Sequence, residues 1–168
     1  VCAKYGVTFT SNKGYCSAST FYRTSKRIAR AVLRDKKQPV VLYAGDHDPS
    51  GQDMTRDVRE RLRMFCGFDV DVKRLALNRS QVDEHQLPPN PAKMSDSRAK
   101  KYVEKHGVYS WELDALPPNI LAAVIESAIV RRIDKQKWIA SKQRESAYRE
   151  KLEAVARIFQ KRENDSRK

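Results

Sequence analysis

Two aspartates separated by one residue, Asp46 and Asp48, follow an apolar run in the segment Val40-Val41-Leu42-Tyr43-Ala44-Gly45-Asp46-His47-Asp48-Pro49-Ser50-Gly51. Carboxylates this close repel unless protons or a hard cation neutralise them, and Mg²⁺ takes one or two carboxylates while keeping waters for substrate phosphates. The pattern therefore points to a divalent cation, Mg²⁺ or Mn²⁺, on Asp46 and Asp48. Asp48 also suits the N-cap of a following helix with Pro49 at its first position. Gly45 and Gly51, lacking a Cβ, allow another group to approach the backbone.

The elements that must position this pair are legible as periodicities. Pro39 to Ala44 reads as a strand buried on both faces of a parallel sheet, and Gln52 to Phe65 as a helix with Met54, Val58, Leu62 and Phe65 on one face. Upstream, Val1 to Tyr5 reads as the end of a helix, Gly6 to Thr10 as a strand, Lys13-Gly14-Tyr15 as a turn, and Ser19 to Leu33 as a helix. Downstream, Phe68, Val70 and Val72 alternate with charged residues as a further strand. The order βα, βα, β predicts an α/β fold, a parallel sheet flanked by helices, in which ligands collect at the C-terminal edge where Asp46 and Asp48 stand. The proline-rich Gln86 to Pro91 reads as a surface loop, Ser95 to His106 as a short helix stopped by Gly107, and Ile120 to Ile129 as a helix with a broad apolar face.

Three other readings of D-x-D-x-x-G compete with a phosphate-binding metal site. An EF-hand loop starting at Asp46 would place Asp48, Ser50 and Gly51 suitably, but puts Asp53 at its apolar eighth position and Asp57 at its bidentate last one, after a strand rather than a helix. A phosphatase forming an aspartyl-phosphate also uses D-x-D after a strand, usually with Thr or Val where this chain has Ser50. A purely structural role as helix caps would use one carboxylate, not two.

The Gly-Asp-x-Asp-Pro-x-Gly pattern after a buried strand resembles the Toprim domain, and Pro49 makes it most similar to the version in the A subunit of type IIB topoisomerases and in the related meiotic double-strand-break protein. Weaker similarity lies in the strand, turn, Gly14 and helix upstream, and in Arg74-Leu75-Ala76-Leu77, Gln81-Val82 and Leu87-Pro88 downstream, so that it covers roughly residues 1 to 130. The resemblance implies four parallel strands with flanking helices and a metal site of one glutamate and two aspartates, the latter matching Asp46 and Asp48. The family's glutamate, which ends its first strand and acts as general acid or base, has no counterpart here. Val1 to Tyr5 corresponds to the helix after that strand, which places the glutamate upstream and makes catalysis depend on it.

Other residues could join the site. Glu112 and Asp114 form an E-x-D pair that an extended backbone would point to one face, as further metal ligands or as caps. Lys13, Arg23, Arg74, Lys93 and Arg98 could hold phosphates near the strand ends without reading sequence. His47, between the aspartates, should point away from them, and His85 and His106 lack metal-ligand spacing. Nothing resembles the winged-helix domain that carries the nucleophilic tyrosine in DNA-cleaving relatives, so the tyrosines read as packing residues.

Bulk properties set the partner. Among 168 residues, 34 Lys and Arg against 21 Asp and Glu leave a net charge of +13, which suits an extended polyanion, nucleic acid and DNA above all. Residues 131 to 168 contribute 13 Lys or Arg against 6 Asp or Glu, a net +7. They read as a basic helical extension with Tyr148, Leu152, Val155 and Phe159 on one face, able to pack on the domain, contact DNA, or join a second copy or a partner subunit. Three scattered cysteines, Cys2, Cys16 and Cys66, fit a reducing, cytoplasmic or nucleoid-associated setting. No apolar run approaches the length of a membrane span. The expectation is metal-dependent cleavage, nicking or rejoining of DNA by part of a topoisomerase- or nuclease-like enzyme; a non-catalytic nucleic-acid-binding or partner-docking module is the alternative.

Overall fold

The computed structural model describes residues 1–11 and 17–166, and the chain divides into two compact units, Val1–Ile129 and Val130–Lys168. Within the first unit the helix α1 (Ala18–Leu33) begins where the Ser17 hydroxyl accepts the Thr20 amide. Strand β1 (Val40–Ala44) then leads into α2 (Pro49–Cys66), capped by Asp48 and closed by Gly67 at φ 78°. Strand β2 (Asp71–Ala76) lies parallel to β1, with Val40 opposite Asp71 and Tyr43 opposite Arg74. A register shift between Tyr43 and Ala44 sets Ala44 opposite Ala76.

This β1–α2–β2 unit is the element the sequence order demands, since parallel neighbours need a crossover and a helix supplies it. Phe21 and Ile28 of α1, Val58 and Leu62 of α2, and Val70 and Val72 bury together and hold the helices on the sheet. Each such side chain contributes about 1.5–3 kcal/mol on leaving water.

The rest of the unit is built of short pieces. Helix α3 (Arg79–Glu84) is started by the Gln81 side chain, which accepts the Asn78 amide at 2.9 Å. Strand β3 (Asn90–Pro91) pairs antiparallel with β4 (Tyr109–Ser110), and α4 (Ala99–His106) lies between them, ended by Gly107 at φ 84°. A single antiparallel bridge joins His47 to Trp111. Helix α5 (Pro118–Val130) follows, and Leu77, Val82, Leu87, Trp111 and Leu116 form a second core cluster. The second unit is essentially one long helix, α6 (Lys135–Ser166).

The fold is thus mixed α/β with a small parallel sheet and helices, and several expectations need correction. Gly6 to Thr10 is not a strand: the segment is exposed coil, with Phe9 71% accessible, because a β-branched run with no neighbouring strand has nothing to satisfy its backbone. Among the described residues the parallel sheet is two strands wide, and β1 is half-buried rather than enclosed on both faces. Gln86 to Pro91 is not loop throughout, since Asn90 and Pro91 form a two-residue edge strand, the position in a sheet that tolerates proline's missing N–H. The helix expected from Ser95 begins at Ala99. Among the described residues no helix is long and apolar enough to cross a membrane.

Candidate functional site

The parallel pairing of β1 and β2 runs one residue beyond the strands. The Gly45 amide donates to the Ala76 carbonyl at 2.8 Å, and the Leu77 amide donates to the Gly45 carbonyl at 2.6 Å. Asp46 therefore leaves the sheet at its C-terminal edge, half-buried, with its carboxylate fixed by the Leu113 backbone amide, which donates to Oδ1 at 2.8 Å. Beyond it lies an open cleft of about 620 Å3 in which Asp46, Glu112 and Asp114 share the wall with Leu116, Pro118 and Leu121.

Asp48 has a different task. Its carboxylate accepts the Gly51 amide at the start of α2, and the Ser50 hydroxyl lies 3.1 and 3.2 Å from its two oxygens. This is an N-cap, where the helix dipole and the free amides both favour a negative charge. The turn is so tight that a Cβ on Gly51 would come within 2.2 Å of the Asp46 carbonyl oxygen, so the group that approaches this glycine is the protein's own backbone. At Gly45 a Cβ would meet the Tyr43 hydroxyl at 2.5 Å.

Arg74 organises the loop. Its Nη1 donates to the Gly51 carbonyl at 2.8 Å and to the Thr55 hydroxyl at 3.1 Å, while Nη2 donates to the carbonyls of Asp46 at 2.6 Å and Gly45 at 2.9 Å and approaches that of Leu77 at 3.2 Å. Such a fork suits a planar guanidinium and no other side chain. Burial pulls its pKa below the usual arginine range, against the Tyr43, Asp46 and Asp48 charges that raise it, and it stays a cation at neutral pH. In this structure the donors of Arg74, expected as a phosphate contact, are directed to the carbonyls of the acidic loop.

The opposite side of that loop is held by His47, which is 2% exposed. Its Nδ1 lies 2.9 Å from the Tyr102 hydroxyl, which also lies 2.9 Å from the carbonyls of His47 and Tyr109. A hydroxyl has one proton, so the arrangement that serves most of these contacts is one in which Tyr102 donates to a carbonyl and accepts from a protonated Nδ1. The imidazole packs edge-on against Trp111 and His106, with centroids 5.7 and 4.9 Å away. Burial first, then the neighbouring His106, lowers its pKa to about 4. Burial likewise lowers His106 and pushes the Tyr102 phenol up to about 12.

Asp46, Glu112 and Asp114 thus meet at one cleft, and Asp48 stands at the adjoining helix start. Glu112 and Asp114 do not share an extended segment as expected: Glu112 is extended but Leu113–Ala115 is a 3-10 turn. Arg98 is ion-paired with Asp96 at 2.7 Å and Asp53 at 3.4 Å. Arg23 is exposed on α1 and Lys93 exposed after β3, while Lys13 and Gly14 lie outside the described residues. Among the described residues no group of three or more His, Cys, Asp or Glu side chains is arranged to hold a metal. Sequence reasoning missed the Arg74 clamp, the Leu113 amide and the His47–Tyr102 cluster, which join residues 28, 67 and 55 apart and leave no local pattern. The chain matches no protein-family model, no curated protein and no solved structure.

Proposed function

We propose that β1–α2–β2 is the centre of a Toprim-type parallel sheet whose Asp46 and Asp48 hold Mg²⁺ or Mn²⁺ for phosphoryl transfer on the DNA backbone. The observation that supports this best is the placement of Asp46 at the C-terminal edge of a parallel strand, facing an open cleft shared with Glu112 and Asp114. The donor set suits the ion: hard carboxylate oxygens, with Asp46 using Oδ1 for the Leu113 amide and having Oδ2 to offer. A cation bound there supplies charge neutralisation at a phosphate oxygen and stabilises the attacking or leaving oxygen.

The chain's own residues would prepare that site. Leu113 fixes the rotamer of Asp46, the Gly51 amide at the α2 N-terminus orients Asp48, and Arg74 holds the loop between them by its carbonyls. The basic excess of the chain would draw in the polyanion, chiefly from residues 131 to 168.

The second reading, a non-catalytic nucleic-acid-binding or partner-docking module, is favoured by the structural work that both aspartates do, one as a cap and one as acceptor for Leu113. Asparagine keeps both hydrogen bonds and removes both charges, so the Asp46→Asn/Asp48→Asn chain separates the two. We expect its affinity for duplex DNA to lose any Mg²⁺ dependence that the parent chain shows while the fold is retained. Identical Mg²⁺ dependence in both chains would favour the second reading.

A further inference from the structure

We propose that α6 is a docking helix for an acidic amphipathic helix of another protein. Tyr148, Leu152, Val155 and Phe159 follow one another at steps of 4, 3 and 4, the spacing of a coiled-coil seam, in which alternating steps keep one stripe facing a partner. All four are exposed within their unit, at 66%, 70%, 48% and 62%, a density of large apolar side chains that an ordinary solvated helix face does not carry.

Charge selects the occupant. With Leu152 and Phe159 at position a and Tyr148 and Val155 at d, the flanking g and e positions from residue 144 to 158 hold Arg144, Arg149 and Lys151 and then the uncharged Ala156 and Ile158, so that every charge among them is positive. In a two-stranded coil these flanks face those of the other helix, so a parallel second copy would set Arg144 against Arg149, whereas an antiparallel one, with Leu152 against Val155, would face Lys151 and Arg149 with uncharged Ile158 and Ala156 and gain no ion pair from either. A helix with Glu or Asp facing the three cations would instead gain an ion pair at each. Glu145, at the preceding a position, lies 2.7 Å from Lys142 and 3.4 Å from Arg149, and breaks the seam where a single basic residue of the partner would fix the register. DNA would be attracted to the same cations but has no use for the apolar stripe between them.

The test uses the full chain and two labelled peptides of four heptads with Leu at a and d, one with Glu and one with Lys at every e and g position, followed by fluorescence anisotropy. We expect the Glu peptide to bind at least about tenfold more tightly than the Lys peptide, the margin that about 1.4 kcal/mol of charge complementarity gives. Leu152→Asp/Phe159→Asp should abolish binding, and Arg144→Glu/Arg149→Glu/Lys151→Glu should invert the preference without changing the helix content. Equal affinity for the two peptides, self-association of the chain that the Leu152→Asp/Phe159→Asp pair abolishes, or loss of duplex-DNA binding as that pair's main effect would each overturn the proposal.

Discussion

Arg74 offers the sharpest test of how the acidic loop is built, because its two roles predict different losses. As a phosphate contact its removal would weaken nucleic-acid binding and leave stability alone. As a clamp it gives up hydrogen bonds to the carbonyls of Gly45, Asp46 and Gly51 and to the Thr55 hydroxyl, all at 2.6 to 3.1 Å. A hydrogen bond to a charged group contributes roughly 1.5–3 kcal/mol, but Arg74 is only part-buried and the abandoned carbonyls can recruit water, so about 3 kcal/mol is expected for the set in Arg74→Met. Arg74→Lys should lose about half as much, since an ammonium has three donors and lacks the fork. Urea unfolding of the three chains, followed by circular dichroism at one pH, reads this directly. The order should be parent, Arg74→Lys, Arg74→Met in falling midpoint at constant slope. Losses below about 0.5 kcal/mol for Arg74→Met, the range of ordinary surface changes, would refute the clamp.

Three further outcomes follow from the same loop. Gly51→Ala must push a Cβ into the Asp46 carbonyl at 2.2 Å, backbone against backbone, and should cost about 2–4 kcal/mol in the same unfolding experiment. Tyr102→Phe removes the acceptor for the His47 Nδ1 proton and the donor to a carbonyl, and should cost about 1–3 kcal/mol in urea unfolding. Because the folded-state pKa of His47 is lowered to about 4, the folded chain binds fewer protons than the unfolded one between that value and 6.5. The stability His47 contributes is therefore full above about pH 6.5 and lost as pH falls towards 4, by up to about 3 kcal/mol; His47→Phe should flatten the slope of unfolding midpoint against pH over that window.

The local half of this architecture was readable and the non-local half was not. The apolar run at Val40 to Ala44, the Asp48 cap and Pro49 at the first helical position are written in consecutive residues, and the strand and helix stand there. Gly6 to Thr10 has the same kind of composition as a strand, but composition cannot supply a neighbour, and the segment is coil. The pairing of His47 with Trp111 and of Asn90 with Ser110 depends on chain segments brought together by the second core cluster, which no periodicity announces. At the site, the acidic pair was visible by spacing, whereas its division into one cap and one cleft-facing carboxylate follows from where Leu113 and Gly51 place their amides. Arg74 stands in the Arg74-Leu75-Ala76-Leu77 run, but nothing local to that run announces that its guanidinium reaches the carbonyls of Gly45, Asp46 and Gly51.

The central claim is that Asp46 and Asp48 hold a divalent cation, and calorimetric titration of Mg²⁺ and of Mn²⁺ into the parent chain and the Asp46→Asn/Asp48→Asn chain tests it most directly. Saturable binding by the parent chain and none by the variant is expected, with both chains giving the same circular dichroism spectrum. Binding that survives in the variant, or a parent chain that takes up neither ion with or without a DNA oligonucleotide present, would contradict it.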